Sequence, residues 1–201
     1  MDENKMLRLK IKKGTSENSP TAKISRDEFK GDRPRIVFGK DYCFVNVYKN
    51  GLLWRVRDIN GNENIPFYLS FDEEIYVGDA ALEHPKYLMP KVDLEMLFNK
   101  FIPNTTDVME NRLLSNENGE QFIVIKTFDG WKKTTPAMIV AIFIKSILKI
   151  IEQKLQLTIE DIHNETLFRC VQTNEVFTEL ISIVFDILKF EHISYNTPYL
   201  G

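Results

Sequence analysis

The sequence predicts a single mixed α/β domain in which several β-hairpins come first and a helix, a strand and a second helix follow. Three observations predict this class. Short runs of β-branched and aromatic residues, separated by Gly, Asn and Asp, fill much of the first half. Two long stretches near the end repeat apolar residues at helical spacing. Hydrophobic residues make up 43% of the 201 residues, which is enough to form a sizeable core.

The first 34 residues differ from the remainder in composition, with nine basic and six acidic side chains. An alternation of Leu7, Leu9 and Ile11 with basic residues is typical of a half-exposed strand, but a solvated arm fits the charge better. We therefore expect residues 1–34 to form a polar, flexible tail that packs little against a domain formed by residues 35–201.

Four β-rich runs follow this segment and are separated by turn-forming residues. They cover residues 35–38, 42–48, 52–57 and 65–71. Asn50 and Gly51 give the strongest turn signal, because both residues tolerate the positive φ that a two-residue hairpin turn requires. The sequence therefore predicts consecutive hairpins over this region.

Two helices follow from capping residues and apolar spacing. The Thr135 hydroxyl can cap a helix that begins at Pro136, where the missing N–H costs nothing, and we expect this helix to end near Gln156. A second helix is predicted from Thr173, with Glu179 among the acidic residues near its positive end. The apolar positions of the two helices are Met138, Ala141, Ile142, Leu148 and Ile151, and Phe177, Leu180, Ile181, Val184, Ile187 and Leu188.

The remaining segments carry shorter signals. Residues 159–171 predict a strand with a loop, and a helical turn is expected after Gly78. Residues 92–101 predict a further helix. Residues 103–120, which are rich in Asn and Glu, predict a connection without regular structure.

The charge balance argues against two classes of partner. The formal net charge is −3, so no overall field attracts nucleic acid or an anionic membrane. The longest apolar run is far shorter than the roughly 20 residues that span a bilayer, and the start has no apolar signal region. We therefore expect a cytoplasmic protein, with the nucleus as a second compartment.

The cysteines and histidines indicate no metal centre. Two cysteines, Cys43 and Cys170, exclude a disulfide scaffold and a four-cysteine zinc site, and they suit a reducing compartment. The three histidines, His84, His163 and His192, lack metal-ligand spacing. Neither cysteine lies in a recognisable catalytic sequence, so no catalytic residue is predicted.

A set of residues between positions 36 and 81 occurs in a distinctive order and spacing. It consists of Ile36, Gly39, Val45, Val47, Gly51, Gly61, Asn62, Pro66, Tyr68, Phe71, Gly78, Ala80 and Ala81. The pattern resembles the nucleotide-binding domain of the seventy-kilodalton heat-shock chaperones, whose members begin G-I-D-L-G-T-T-x-S-x-V, continue through G-N-R-x-x-P-S-x-V-x-F and reach a G-x-x-A turn. The helix from Thr135 resembles the family's P-E-E-x-S-x-M helix, and the helix from Thr173 resembles the one after its P-A-Y-F strand.

The resemblance implies one lobe of an actin-like, ribonuclease H-like ATPase over residues 35–201, with a mixed sheet from the hairpins packed by the later helices. In the family, nucleotide lies between two lobes, and a client-binding domain follows. We therefore expect only one wall of that cleft here. Apolar surface that a second lobe would cover should then favour self-association or a protein partner.

The sequence departs from the family where phosphate and metal are handled. An aspartate that organises hydrated magnesium and two threonines that cradle phosphate correspond here to Val37, Lys40 and Asp41. The family's catalytic lysine aligns at Leu94, with Lys91 three residues away.

The P-A-Y-F segment of the family, whose proline serves communication between the lobes, corresponds to residues 167–170, Leu-Phe-Arg-Cys. We expect no cofactor, although the resemblance implies ATP with magnesium if the family's activity survives. Any remaining phosphate contact is expected at Gly39, Lys40, Asp41 and Tyr42.

Three readings of the function follow. The favoured one is a non-catalytic relative of a chaperone ATPase domain that acts through protein–protein interaction, with a chaperone, a cochaperone or a second copy as partner. The alternative is a chaperone-like protein that retains weak affinity for ATP. The third is an α/β domain unrelated to chaperones, because a fold does not by itself give a function.

Overall fold

The chain folds as a mixed α/β domain, as the sequence predicts. The computed structural model describes residues 20–22, 34–49, 52–90, 94, 97, 113–115, 121–156, 158–159, 161–166, 171–189 and 191–194. The strands in these ranges are β1 (Pro20–Ala22), β2 (Arg35–Phe38), β3 (Tyr42–Lys49), β4 (Leu52–Val56), β5 (Ile65–Pro66), β6 (Leu69–Phe71), β7 (Ile75–Val77), β8 (Leu113–Ser115), β9 (Gln121–Thr127), β10 (Gly130–Thr134), β11 (Asp161–Thr166) and β12 (Glu191–Ser194). The α-helices are α1 (Asp79–Leu82), α2 (Pro136–Leu155) and α3 (Val171–Leu188).

The largest sheet has the strand order β1-β4-β3-β2-β11-β12, and β5 pairs with β3. The pairs from β1 to β2 are antiparallel, whereas β11 is parallel to both β2 and β12. Strands β3 and β4 pair up to Lys49 and Leu52, so the predicted Asn50-Gly51 connection has two residues, although these two lie outside the described ranges. The predicted hairpins β2–β3 and β3–β4 are therefore confirmed, and the sheet continues into two parallel strands. The predicted run 65–71 is not one strand of this sheet, because β5 pairs with β3 and β6 pairs with β7 in a separate sheet.

Strand β1 adds part of the expected tail to this sheet. Pro20 pairs with Trp54 and Ala22 with Leu53, which covers an edge that β4 would otherwise leave open. The expected separation of residues 1–34 from the domain therefore does not hold at Pro20–Ala22. The Leu7–Ile11 alternation lies outside the described residues.

Two smaller sheets lie between β5 and helix α2 in the sequence. Strands β6 and β7 form one antiparallel pair, and β10-β9-β8 form the other sheet. Strand β8 lies within residues 103–120, where we expected no regular structure, and it forms because its backbone pairs with β9. The rest of that stretch lies outside the described residues.

The ends of α2 follow the predicted capping chemistry. The Thr135 hydroxyl accepts a hydrogen bond from the Met138 N–H at 3.2 Å, and Pro136 occupies the first helical position. Gln156 adopts the left-handed conformation with φ of 54°, which ends the helix. Helix α3 begins at Val171, two residues before the predicted start. Leu94 is helical, in agreement with the short helix predicted around it.

Helix α2 is buried over most of its circumference, and a narrow stripe that includes Met138, Lys145 and Gln153 is exposed, as expected for a helix with a wide apolar face. Phe143 is fully buried and packs edge-to-face on Phe67, with ring centroids 4.6 Å apart. The surrounding core joins the large sheet, β9, α2 and α3. Met138, which the spacing assigned to the apolar face, is 40% exposed because it lies in the first turn beside the cap.

We expect Phe143→Ala to lower the free energy of unfolding by about 3–5 kcal/mol, because the substitution leaves a cavity at the centre of the core. Met138→Ala on the same helix should change it by less than about 1 kcal/mol, since the side chain is exposed. Urea denaturation followed by circular dichroism measures both values. Equal losses for the two variants would contradict this description of the core.

Candidate functional site

The predicted phosphate-contacting residues form the tight turn between β2 and β3. The Gly39 N–H donates a hydrogen bond of 2.9 Å to the Tyr42 carbonyl, which closes the turn. Lys40 is exposed, and Asp41 and Tyr42 are half-buried. The structure therefore brings Gly39, Lys40, Asp41 and Tyr42 together, with the Gly39 amide already engaged inside the turn.

The Tyr42 ring covers Gly39. A Cβ atom placed at Gly39 would lie 2.7 Å from Cε1 and Cζ of Tyr42, closer than unbonded carbon atoms approach. A larger residue at position 39 would therefore have to displace the Tyr42 ring. The same ring occupies the space beside the Gly39 backbone.

Two neighbouring segments anchor the turn through its carbonyl groups. The Phe67 N–H donates to the Asp41 carbonyl, and the Leu94 N–H donates to the Lys40 carbonyl, each at 2.8 Å. Leu94, the residue aligned with the family's catalytic lysine, thus lies directly against the turn, and its side chain is fully buried. An apolar, buried side chain offers no proton donor and no charge at this position. Lys91 lies outside the described residues.

Val37 lies in β2, where the family has its magnesium-organising aspartate, and it is buried. Its cross-strand partner is Phe44, and the Arg55 guanidinium carbon lies 4.0 Å above the Phe44 ring centroid. The Arg55 Nε donates to the Asn46 side-chain oxygen at 3.3 Å. These contacts place apolar surface and a cation near Val37, whereas hydrated magnesium requires oxygen ligands with negative charge.

The described residues contain neither a reactive cysteine nor a cluster of metal-ligating side chains. Burial raises the pKa of the Cys43 thiol, so this thiol stays protonated at neutral pH and is a poor nucleophile. Within the described ranges, no three His, Cys, Asp or Glu side chains lie close enough together to hold a metal ion. Cys170, with the rest of residues 167–170, lies outside those ranges.

His84 forms a pair with Asp72 that the sequence did not indicate. Its Nδ1 lies 2.9 Å from the Asp72 carboxylate, and its ring stacks on Tyr76 with centroids 3.5 Å apart. The Ser70 hydroxyl donates to the His84 carbonyl at 2.7 Å and not to the imidazole. These contacts join the β6–β7 hairpin to the segment after α1, and a structural role explains them.

The loop that contains Asn62, one of the positions shared with the family, is held by Asp58. One Asp58 carboxylate oxygen accepts from the Asn60 and Asn62 N–H groups at 2.9 and 2.8 Å. The Asn62 side chain donates to Asp79 in α1 at 2.6 Å. Lys154 in α2 donates to the Asp58 carbonyl at 3.2 Å, and burial lowers the pKa of Lys154. Asn62 therefore has a structural role, which joins the loop to α1.

Gly78, a second shared position, has an equally structural reason. Its φ of 65° lies in the left-handed region, which favours glycine. A Cβ atom there would also approach a methyl group of Ile65 to 3.2 Å. Both the backbone conformation and the packing at the start of α1 thus require glycine.

Comparison with known proteins adds no assignment. No protein-family model matches the chain, and no curated protein sequence matches it. Among the described helices, none is long and apolar enough to cross a membrane. A functional assignment therefore depends on the geometry of the β2–β3 turn and on the resemblance in the sequence.

We expect Gly39→Ala to destabilise the protein by about 1–3 kcal/mol, because the new methyl group displaces the Tyr42 ring. In a Tyr42→Ala background the same change should cost less than about 1 kcal/mol, since the obstacle is gone. A double-mutant cycle with urea denaturation measures this coupling. An equal cost of Gly39→Ala in both backgrounds would rule out the close approach of ring and turn.

Proposed function

We propose that this chain is a non-catalytic relative of the chaperone ATPase lobe, and that it acts by binding another protein. The architecture supports the first part. Antiparallel hairpins continue into parallel strands β11 and β12, one helix precedes β11, and a second connects β11 to β12. This is the succession that the resemblance implies for an actin-like, ribonuclease H-like lobe.

The observation that carries the proposal is the state of the β2–β3 turn. The turn contains a glycine and is anchored by Leu94, but the side chains that would handle phosphate and metal are absent. The Gly39 amide bonds within the turn, and the Tyr42 ring covers the backbone beside it. Enzymes accelerate phosphoryl transfer mainly by positioning the reactants and stabilising the developing charge. None of these turn residues has a side chain that would do either for ATP with magnesium.

The charges at the turn also disfavour binding of ATP. The Asp41 carboxylate would repel a triphosphate by an energy on the order of a few kcal/mol at intermediate dielectric. Lys40 offsets part of this repulsion, but it is exposed, so solvent and salt screen its charge. ATP with magnesium is thus a poor ligand for this turn.

Gly39, Asn62 and Gly78, three of the residues on which the resemblance rests, have structural roles in the fold. The side chains that would handle phosphate, in contrast, are missing. This combination is expected for a protein that uses the surface of its fold to bind a partner and does not hydrolyse ATP. A chaperone, a cochaperone or a second copy of the chain fits as partner. The partner class rests on the analogy with the family.

We expect the chain to show no ATP hydrolysis above background and millimolar or undetectable affinity for ATP with magnesium. Isothermal titration calorimetry and a phosphate-release assay on the full chain measure the two quantities. The control is the triple variant Val37→Asp, Lys40→Thr, Asp41→Thr, which restores the family's side chains at the turn.

Gain of binding in the triple variant alone would support loss of function at the turn. Micromolar binding by the unaltered chain that weakens on Lys40→Ala would contradict the proposal and favour the alternative, a protein with retained nucleotide affinity. Hydrolysis by the unaltered chain would refute it outright.

A further inference from the structure

Helix α3 carries apolar residues on two sides. Ile181, Val184 and Phe185 are buried in the core of the domain. Ile183 and Ile187, in contrast, are 43% and 39% exposed, although isoleucine is among the residues most often buried in proteins. The helix therefore has more apolar surface than its packing on the domain uses.

The two exposed isoleucines form a continuous ridge with Leu180. The three residues are spaced three and four positions apart, which places them on successive turns along one side of the helix. Leu180 is half-buried and packs against the core. We define the outer ridge of α3 as Leu180, Ile183 and Ile187. Apolar residues at this spacing are the pattern by which one helix packs on another.

Acidic side chains border the outer ridge along one edge. Glu179 and Asp186 are exposed and lie seven positions apart, so they follow one line along the helix beside the ridge. The whole helix contains three acidic residues and no basic residue. Lys189, directly after the helix, offsets only part of this charge. The surface around the ridge is therefore negatively charged.

We propose that a basic, amphipathic helix of a partner protein packs along the outer ridge of α3. This inference rests on the proposed function and names the surface and the chemistry of the partner. Apolar residues on one face of the partner helix pack between Leu180, Ile183 and Ile187. Lysine or arginine residues beside that face lie near Asp186 and the acidic edge of the ridge.

The charge of α3 favours this partner over a second copy, a nucleic acid or an anionic membrane. When two copies pair through antiparallel α3 helices, the same edge of the ridge meets itself, which brings Asp186 close to Glu179 of the second copy. Phosphates of nucleic acids and of anionic lipids have the same sign of charge as this edge. The backbone groups of α3 bond within the helix, so an extended strand has nothing to pair with.

The test uses the full chain and a fluorescein-labelled peptide of about 18 residues, which is long enough to form a helix. Its leucines form one helical face and its lysines flank that face. Fluorescence anisotropy should show binding that weakens about tenfold for Ile183→Gln/Ile187→Gln, because the ridge loses apolar surface. Met138→Gln changes an exposed apolar residue of α2, so it is the matched control and should bind as the unaltered chain does. Circular dichroism verifies the fold of each variant.

The charge of the partner is tested separately. We expect Asp186→Lys to weaken binding of the lysine peptide about threefold, because an attraction becomes a repulsion at an exposed position. A peptide with glutamate in place of lysine should not bind. A peptide of the same composition whose leucines are spread around the helix should not bind either, because it has no apolar face.

Three results would overturn the proposal. They are unchanged binding in Ile183→Gln/Ile187→Gln, unchanged binding in Asp186→Lys, and equal binding of the lysine peptide and either control peptide. Sedimentation of the chain alone gives a further check. A dimer that dissociates in Ile183→Gln/Ile187→Gln would overturn the proposal in favour of a second copy as the occupant of the ridge.

The failure of this inference is distinguishable from failure of the proposed function. ATP hydrolysis by a chain that also binds the lysine peptide through Ile183 and Ile187 would refute the non-catalytic assignment and leave the surface in place. Absence of peptide binding in a chain that does not hydrolyse ATP would refute the surface alone.

Discussion

Burial of helix α2 is the constraint on which the other elements depend. Its apolar residues face the large sheet, β9 and α3 at once, and Phe143 on Phe67 lies at the centre of this contact. A helix with so wide an apolar face is stable only when other elements cover that face, so the sheets and α3 have to pack against it. The cap at Thr135 fixes where the helix begins and hence how β10 leads into it. Packing around α2 thus also sets the position of β10.

The β2–β3 turn is a closed structural element of the large sheet. Its carbonyls accept hydrogen bonds from Phe67 and Leu94, and its Gly39 amide donates to Tyr42. Each of these bonds ties the turn to its surroundings, and the Gly39 amide is already engaged. Val37 is buried opposite Phe44, and its side chain offers no oxygen ligand for a magnesium ion. The turn therefore supports the sheet.

Capping and turn residues predicted those helix ends and turns that depend only on residues close together in the sequence. The capping residues gave the ends of α2, and Asn50-Gly51 indicated the β3–β4 hairpin. Strand β9 was not predicted, because residues 122–125 are all apolar and do not alternate as a half-buried strand would. Strand β10 was not predicted either, because Trp131 is its single apolar residue. The Tyr42 ring over Gly39 depends on how the side chain packs after folding, and no spacing in the sequence encodes it.

Amide hydrogen exchange at Gly39 tests the central claim, that the turn is a closed structural element, most directly. We predict that the Gly39 and Leu94 amides are protected as strongly as those of β3, and that ATP with magnesium leaves this protection unchanged. The measurement is exchange followed by two-dimensional NMR of the full chain, with and without nucleotide. Rapid exchange at Gly39 that becomes slow only when ATP with magnesium is added would contradict the account.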